Sequence, residues 1–301
     1  MSAIREVVLI AKSSSNRGSE AYAEITRALP ALGISIVEAH RVETRKELRR
    51  RVKRAAKSGH KYIVVAGGDG SQCAAAQALA YTKSVLCVIP AGTGNSFAQS
   101  LGMQPTIEEA IRTIANGRKK RIDLGVVNGT YFANFAAIGL SAEIGLETPK
   151  LLKRIAGGVA YGLSAVVPLL KNRPFSAKIS WEKNAIKIET FQMLVASGRY
   201  FGNTPILPGA SLESGRLAFF TSVGPTRVDV VRMYLAFLAG DQTSLPDAHY
   251  FQTKKLKIET KGRQLIALDG SKYGYTPATF SIARKALRVM VPEGALAERE
   301  G

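Results

Sequence analysis

The chain has 301 residues, 46% hydrophobic and 22% charged, which makes disorder the wrong default and gives comfortable room for two domains. Lys and Arg number 42 against 23 Asp and Glu, and the formal net charge of +19 attracts polyanions: nucleic acid, anionic membrane or phosphorylated small molecules, although it also serves plain solubility. The two cysteines, Cys73 in an Ala-rich stretch and Cys87 in an apolar run, exclude a disulfide framework, read as small buried hydrophobes and suit a reducing cytosol.

In chain order, the first part alternates. Val7 to Ala11 is a short apolar run read as a strand, with no secretory signal before it. Ser19 to Leu32 reads as a helix, Ile34 to Val37 as a strand and Thr44 to Ser58 as a second helix. Tyr62 to Ala66 is a strand, Ser71 to Ala80 a helix, Val85 to Ile89 a strand and Thr106 to Asn116 a helix. Strands alternating with helices predict βαβ units and a mostly parallel sheet.

Near Arg121 the pattern changes. Strand-like runs follow at Ile122 to Val127, Tyr131 to Ala137, Ala177 to Trp181, Ala185 to Ile188, Gln192 to Ala196, Arg216 to Thr221, Lys255 to Ile258, Gln264 to Leu268 and Ala278 to Ile282. Helical stretches are expected over Thr148 to Lys171 and Arg227 to Ala239. The fold class is therefore α/β plus β: an α/β domain over residues 1–122, then a largely antiparallel β domain over residues 123–284, which the family resemblance given below makes a nucleotide domain and a β-sandwich.

The chemistry concentrates in two loops. Gly67-Gly68-Asp69-Gly70-Ser71 follows an apolar strand and opens a helix, so its backbone can approach a ligand and the helix start offers free N–H groups to phosphate. A carboxylate at Asp69 would repel bare phosphate. It either holds Mg²⁺, accepts a proton from an attacking hydroxyl, or caps the helix that follows. Pro90-Ala91-Gly92-Thr93-Gly94-Asn95-Ser96 also follows a strand, and in a parallel sheet the two loops share the carboxyl edge, with Thr93 and Asn95 supplying polar side chains there. No Gly-Lys-Ser/Thr closes either loop, Phe97 breaks the dinucleotide fingerprint, and His40, His60 and His249 are scattered, unlike a metal site.

These residues resemble the diacylglycerol kinase catalytic family. Gly67-Gly68-Asp69-Gly70-Ser71 resembles the Gly-Gly-Asp-Gly-Thr signature shared by diacylglycerol, sphingosine, ceramide and NAD kinases, and Gly92 to Ala98 resembles the second nucleotide loop of the lipid kinases. Arg121-Ile122-Asp123-Leu124-Gly125, Phe132-Ala133-Asn134, Ile138-Gly139, Leu207-Pro208-Gly209-Ala210, Gly215-Arg216-Leu217 and Asp269-Gly270 match in order over nearly the whole chain.

The resemblance implies ATP and Mg²⁺ between an α/β domain and a β-sandwich, with a lipid entering from the sandwich and residues 285–295 returning to the first domain. It implies Gly67, Gly68, Asp69, Gly70, Ser71, Gly92, Thr93, Gly94 and Asn95 at the nucleotide, Asp69 at the metal, and Asp69 and Asp269 as catalytic residues. The cysteines and the basic charge add the expectation of a cytoplasmic enzyme, peripherally associated with anionic membrane.

The sequence departs from the family at four places. Ala11-Lys12-Ser13-Ser14-Ser15 replaces the opening Asn-Pro-x-Ser-Gly loop, and Ser96 replaces an Asp. Ser214 replaces the acidic residue before Gly-x-Leu at a second, structural metal site, and Ser271 replaces the Glu of Asp-Gly-Glu, a carboxylate often assigned as the base. The expected function is ATP-dependent phosphorylation of a lipid hydroxyl; the alternatives are a catalytically impaired lipid- or nucleotide-binding homologue and an NAD kinase. Arg45, Lys46, Arg49, Arg50, Lys53, Arg54 and Lys57 recur at helical spacing opposite Leu48, Val52 and Ala55, a basic amphipathic helix suited to packing and to anionic headgroups. Lys150 to Lys171, basic at both ends and apolar between, is a further stretch that suits core packing or membrane contact. No aromatic-basic RNA motif accompanies the charge, so nucleic acid is not the expected partner.

Overall fold

The computed structural model describes residues 6–13, 16–147, 173–201, 204–205, 207–223, 226, 228–229, 231–232, 236 and 245–296. The helix and membrane contact expected within 148–171 lie outside the described residues, as does part of the helix expected over 227–239. The chain forms two compact units, residues 1–124 with 284–301, and residues 125–283.

The first unit opens with β1 (Glu6–Lys12), α1 (Asn16–Ala31), β2 (Ser35–Val42), α2 (Arg45–Lys57), β3 (Tyr62–Gly67), α3 (Asp69–Leu79), β4 (Val85–Pro90), α4 (Ser96–Ser100), α5 (Ile107–Asn116) and the start of β5 (Arg118–Val127). The strands pair in parallel in the order β2-β1-β3-β4. Every residue of β3 and β4 is buried, as their unbroken apolar runs require of strands covered on both faces. On one face Val7, Leu9, Val64, Cys87 and Ile89 join Ile25 and Leu29 of α1 and Ile111 and Ile114 of α5; α2 and α3 pack on each other and against β1 and β3.

Local signals set the helix starts. Thr44 and Thr106 each accept the backbone N–H three residues on, from Glu47 and Glu109, in Thr-x-x-Glu caps. Leu48, Val52 and Ala55 are buried on α2, Arg51 is half-buried, and the other basic residues of the helix are exposed.

β2 runs past its expected end at Val37 because it is the exposed edge of the sheet. There polar side chains are tolerated, and His40 and His60 both pair with Glu38, at 2.9 and 3.2 Å. The hydrogen bond from His40 holds the Glu38 carboxyl below its ordinary range.

The second unit contains β6 (Thr130–Phe132), β7 (Phe135–Gly139), α6 (Leu140–Glu147), β8 (Phe175–Trp181), β9 (Asn184–Thr190), β10 (Gln192–Ala196), β11 (Tyr200–Phe201), β12 (Thr204–Pro205), β13 (Leu217–Ser222), β14 (Ala248–Thr253), β15 (Lys255–Thr260), β16 (Leu265–Leu268), β17 (Ser271–Tyr275) and the start of β18 (Ala278–Val291). One antiparallel sheet runs β14-β13-β10-β7-β16-β17. A second is built from β9, β8, β15 and residues 278–281 of β18. Side chains of the two sheets, including Ile138, Val195, Phe219, Ile258 and Phe280, form one core with Phe132 of β6. The alternate residues Ala137, Leu194, Ala196 and Phe220 enter a second core on the other face of the six-stranded sheet, which is why β10 is buried throughout. The end of β18 returns to the first unit, where Arg288 and Val289 pair in parallel with Val85 and Leu86 of β4.

The single strand expected over Tyr131 to Ala137 is two, broken at Ala133-Asn134, where three successive backbone N–H groups turn to one carboxylate. β14 and β17 were not expected. β17 follows Asp269-Gly270, both at positive φ, 46° and 73°, between the paired residues Leu268 and Ser271. This is a two-residue hairpin turn with the Asp-Gly sequence that such turns favour.

Candidate active site

In the first unit, β3 and β4 end side by side, with Gly67 opposite Pro90. The loops that leave them meet backbone to backbone. A Cβ on Gly68 would lie 3.1 Å from Gly92 Cα, and a Cβ on Gly92 would overlap Gly68 Cα outright. The Ala91 N–H adds a bond to the Gly67 carbonyl at 3.1 Å. The glycines at 68 and 92 are therefore required first by each other, through close approach of two main chains.

Asp69 joins the loops from the side. It is the first residue of α3, half-buried, but it does not cap that helix: Gly68 is the cap residue. Its Oδ1 accepts the Phe97 N–H at 2.9 Å, and its Oδ2 lies 3.5 Å from Ser96 Oγ, so the carboxylate caps α4 instead. A Cβ on Gly94 would come within 3.0 Å of Oδ2.

Asn95, expected to offer its amide to a ligand, closes its own loop. It is buried, at left-handed φ 51°, and its Oδ1 accepts the Gly92 N–H at 2.9 Å while its Nδ2 donates to the Gly92 carbonyl at 3.0 Å. Thr93 is exposed at the loop tip. Ser71 is buried in the first turn of α3, where its N–H bonds the Gly68 carbonyl at 2.8 Å.

Two contributors escaped the sequence reading. Buried Gln72 donates through Nε2 to the carbonyls of Val65, Gly67 and Ile89, at 2.9, 3.2 and 3.1 Å, locking the ends of β3 and β4 in register. Only its position one residue after the Gly-rich signature hinted at this. Arg45, read as part of a basic helix face, places its guanidinium over Gly70: a Cβ there would meet Nη1 at 3.0 Å and Cζ at 3.2 Å. Two touching glycine loops, a helix start and a guanidinium form a cradle suited to phosphate oxygens. Among the described residues no three His, Cys, Asp or Glu side chains group to hold a metal by themselves. A Mg²⁺ that arrives on nucleotide phosphates needs only one or two carboxylates, and Asp69, at both loops, is the one that would hold it.

Asp269 belongs to the second unit. It is 6% exposed, and its Oδ2 accepts the Ala133 N–H at 2.7 Å while its Oδ1 accepts those of Asn134 and Phe135 at 2.8 and 3.0 Å. Its own N–H bonds the Phe135 carbonyl at 3.0 Å. The same turn is held from its other side by the N–H groups of Ser197 and Gly198 on the Asn134 carbonyl, at 2.7 and 2.8 Å. Ser271 follows on β17, half-buried.

The fold and these motifs define a two-domain protein of the lipid-kinase type. Residues 6–127 match the model of the diacylglycerol kinase catalytic domain, and residues 135–291 match that of the YegS C-terminal NAD kinase beta sandwich-like domain. The chain belongs to the family that these two domains define. A diacylglycerol kinase of Bacillus subtilis is 29% identical over 245 residues, covering 80% of this chain and 81% of that protein. A protein of Shewanella frigidimarina named "Probable lipid kinase YegS-like" is 27% identical over 238 residues, covering 76% of each. The crystal structure of a diacylglycerol kinase from Bacillus anthracis superposes with a TM-score of 0.77 at 22% identity, covering 98% of this chain and all of that one, and shares its fold. Among the described residues no helix is long and apolar enough to cross a membrane.

Proposed function

We propose that the protein is an ATP-dependent lipid kinase that transfers the γ-phosphate of ATP to the hydroxyl of a diacylglycerol- or sphingoid-like lipid. The observation that carries this is the pair of glycine loops, in main-chain contact at Gly68 and Gly92 and bridged by the Asp69 carboxylate, in a chain of this family. Phosphoryl transfer asks the protein for positioned phosphates, a divalent cation and a proton acceptor. The loops and the start of α3 bind and orient the phosphates, and Arg45 adds positive charge beside them. Mg²⁺, when bound with the nucleotide, draws charge from the transferring group. Asp69 supplies the negative charge at this site, for the cation or for the proton of the acceptor hydroxyl. Asp269 acts through the turn it holds.

The exposed basic face of α2, Arg49, Arg50, Lys53, Arg54 and Lys57, supports peripheral attachment to anionic lipid, at on the order of 1 kcal/mol per basic residue near the surface. A second reading, a lipid-binding homologue with little catalysis, is favoured by Ser271, since a hydroxyl is a far weaker base at neutral pH than the carboxylate that the family resemblance implies there. Incubation with labelled ATP, Mg²⁺ and a panel of diacylglycerols and sphingoid bases separates the two. Lipid phosphorylation that Asp69→Asn abolishes supports the kinase. No product from the wild type or from Ser271→Glu, with ATP binding intact, establishes the second reading.

A further inference from the structure

The turn from Ser211 to Arg216 closes around one hydroxyl. Ser214 Oγ lies 3.1 Å from the Ser211 carbonyl oxygen and 3.0 Å from that of Arg216, and it accepts the Arg216 N–H at 3.2 Å. The Ser214 N–H reaches the same Ser211 carbonyl at 3.3 Å, and the Glu213 N–H reaches the Ser211 hydroxyl at 3.2 Å. Two main-chain carbonyls therefore converge on one side-chain oxygen.

Carbonyls converging with a side-chain oxygen form the kind of donor set that a hard divalent cation takes, and its affinity is set largely by how many of the donors are charged. Here the side chain at the focus is neutral. Its proton bonds toward the carbonyls, and one of its lone pairs is taken by the Arg216 N–H. The resemblance implies an acidic residue and a structural metal at this place; the residues present do not fit one.

We propose that Ser214 closes this turn in the place of a cation, so that the turn and β13 behind it hold without divalent metal, and that a carboxylate at 214 would convert the turn into a cation site. The reason is proton inventory. A hydroxyl has a proton to give the converging carbonyls, whereas an ionised carboxylate has none and would repel them unless a cation stood between.

The test is thermal unfolding of the full chain, free of nucleotide and lipid, in EDTA and in MgCl₂ or CaCl₂, for the wild type, Ser214→Ala and Ser214→Asp. Its readout does not depend on the kinase reading. The wild type should melt at the same temperature with and without cation. Ser214→Ala should melt lower in both. Ser214→Asp should melt lower in EDTA and rise by at least about 4 °C at saturating cation. A cation-dependent rise in the wild type that disappears in Ser214→Ala would overturn the proposal, and so would a Ser214→Asp variant that no cation stabilises.

Discussion

The Asp69 carboxylate accepts the backbone N–H of Phe97 at 2.9 Å, so a residue of the first glycine loop caps the short helix that follows the second. One carboxylate thus carries two duties, holding two loops at a fixed spacing and presenting negative charge beside the proposed phosphate site. The duties separate by mutation. Asp69→Asn keeps an oxygen for the Phe97 N–H but loses the charge, and should stay within about 0.5–1 kcal/mol of wild-type stability while losing lipid phosphorylation. Asp69→Ala should lose both, with an added destabilisation of about 0.5–2 kcal/mol from the missing cap. Urea denaturation beside the labelled-ATP assay reads the difference; robust phosphorylation by Asp69→Asn would refute the assignment.

Gly92→Val tests the contact between the loops. The new side chain would fall on Gly68 Cα, backbone that cannot rotate away. Overpacking of this kind costs about 1–3 kcal/mol. The variant should therefore melt lower and also bind nucleotide more weakly, as measured by calorimetry under conditions where it remains folded. Wild-type nucleotide affinity in the folded variant would remove the loops from the site.

Arg45 is exposed and lies outside the core, so Arg45→Ala should leave the melting temperature almost unchanged. If its guanidinium serves the phosphates, KM for ATP should rise, by about tenfold for a contact near 1.4 kcal/mol, with a smaller change in kcat. Arg45→Lys should recover only part, because an ammonium lacks the planar fork. Equal kinetics in all three proteins would return Arg45 to the general basic surface.

Asp269→Ala would leave the N–H groups of Ala133, Asn134 and Phe135 without their common acceptor in a buried turn. An unsatisfied buried donor costs about 1–3 kcal/mol, so the loss should reach at least about 3 kcal/mol. Asp269→Asn, which keeps one acceptor oxygen, should lose less. A destabilisation under about 1 kcal/mol in Asp269→Ala would show that the turn does not need the carboxylate.

Reversing charge at Arg50, Lys53, Arg54 and Lys57 on α2 should weaken binding to anionic vesicles without affecting Leu48, Val52 and Ala55 beneath. Wild-type binding should fall steeply as salt shortens the Debye length to about 10 Å at 0.1 M. Sedimentation with neutral and anionic vesicles checks this; equal binding to both at low salt would exclude the mechanism.

Periodicity and turn residues alone determined the α/β then β fold class, because a covered parallel strand such as Val85–Pro90 must be apolar throughout and the core face of a helix such as α2 must repeat every three to four residues. They also marked Asp69, Gly92 and Asn95, since a glycine-rich turn between strand and helix is visible in one dimension. What each residue does there was decided in three dimensions. Asp69 was open to holding Mg²⁺, accepting a proton or capping its own helix, and the cap it provides is to α4, through Phe97, 28 residues on in sequence. Asn95 turns its amide on its own loop, and Arg45 reaches Gly70 from another helix. The Asp-Gly at 269–270 carried a hairpin signal that went unread beside its resemblance to a catalytic motif, and its grip on residues 133–135 spans more than 130 positions. Sequence patterns report which face of an element must be dry; they carry no record of which distant backbone N–H a carboxylate will meet, because that pairing exists only once strands and loops far apart in the chain have packed together.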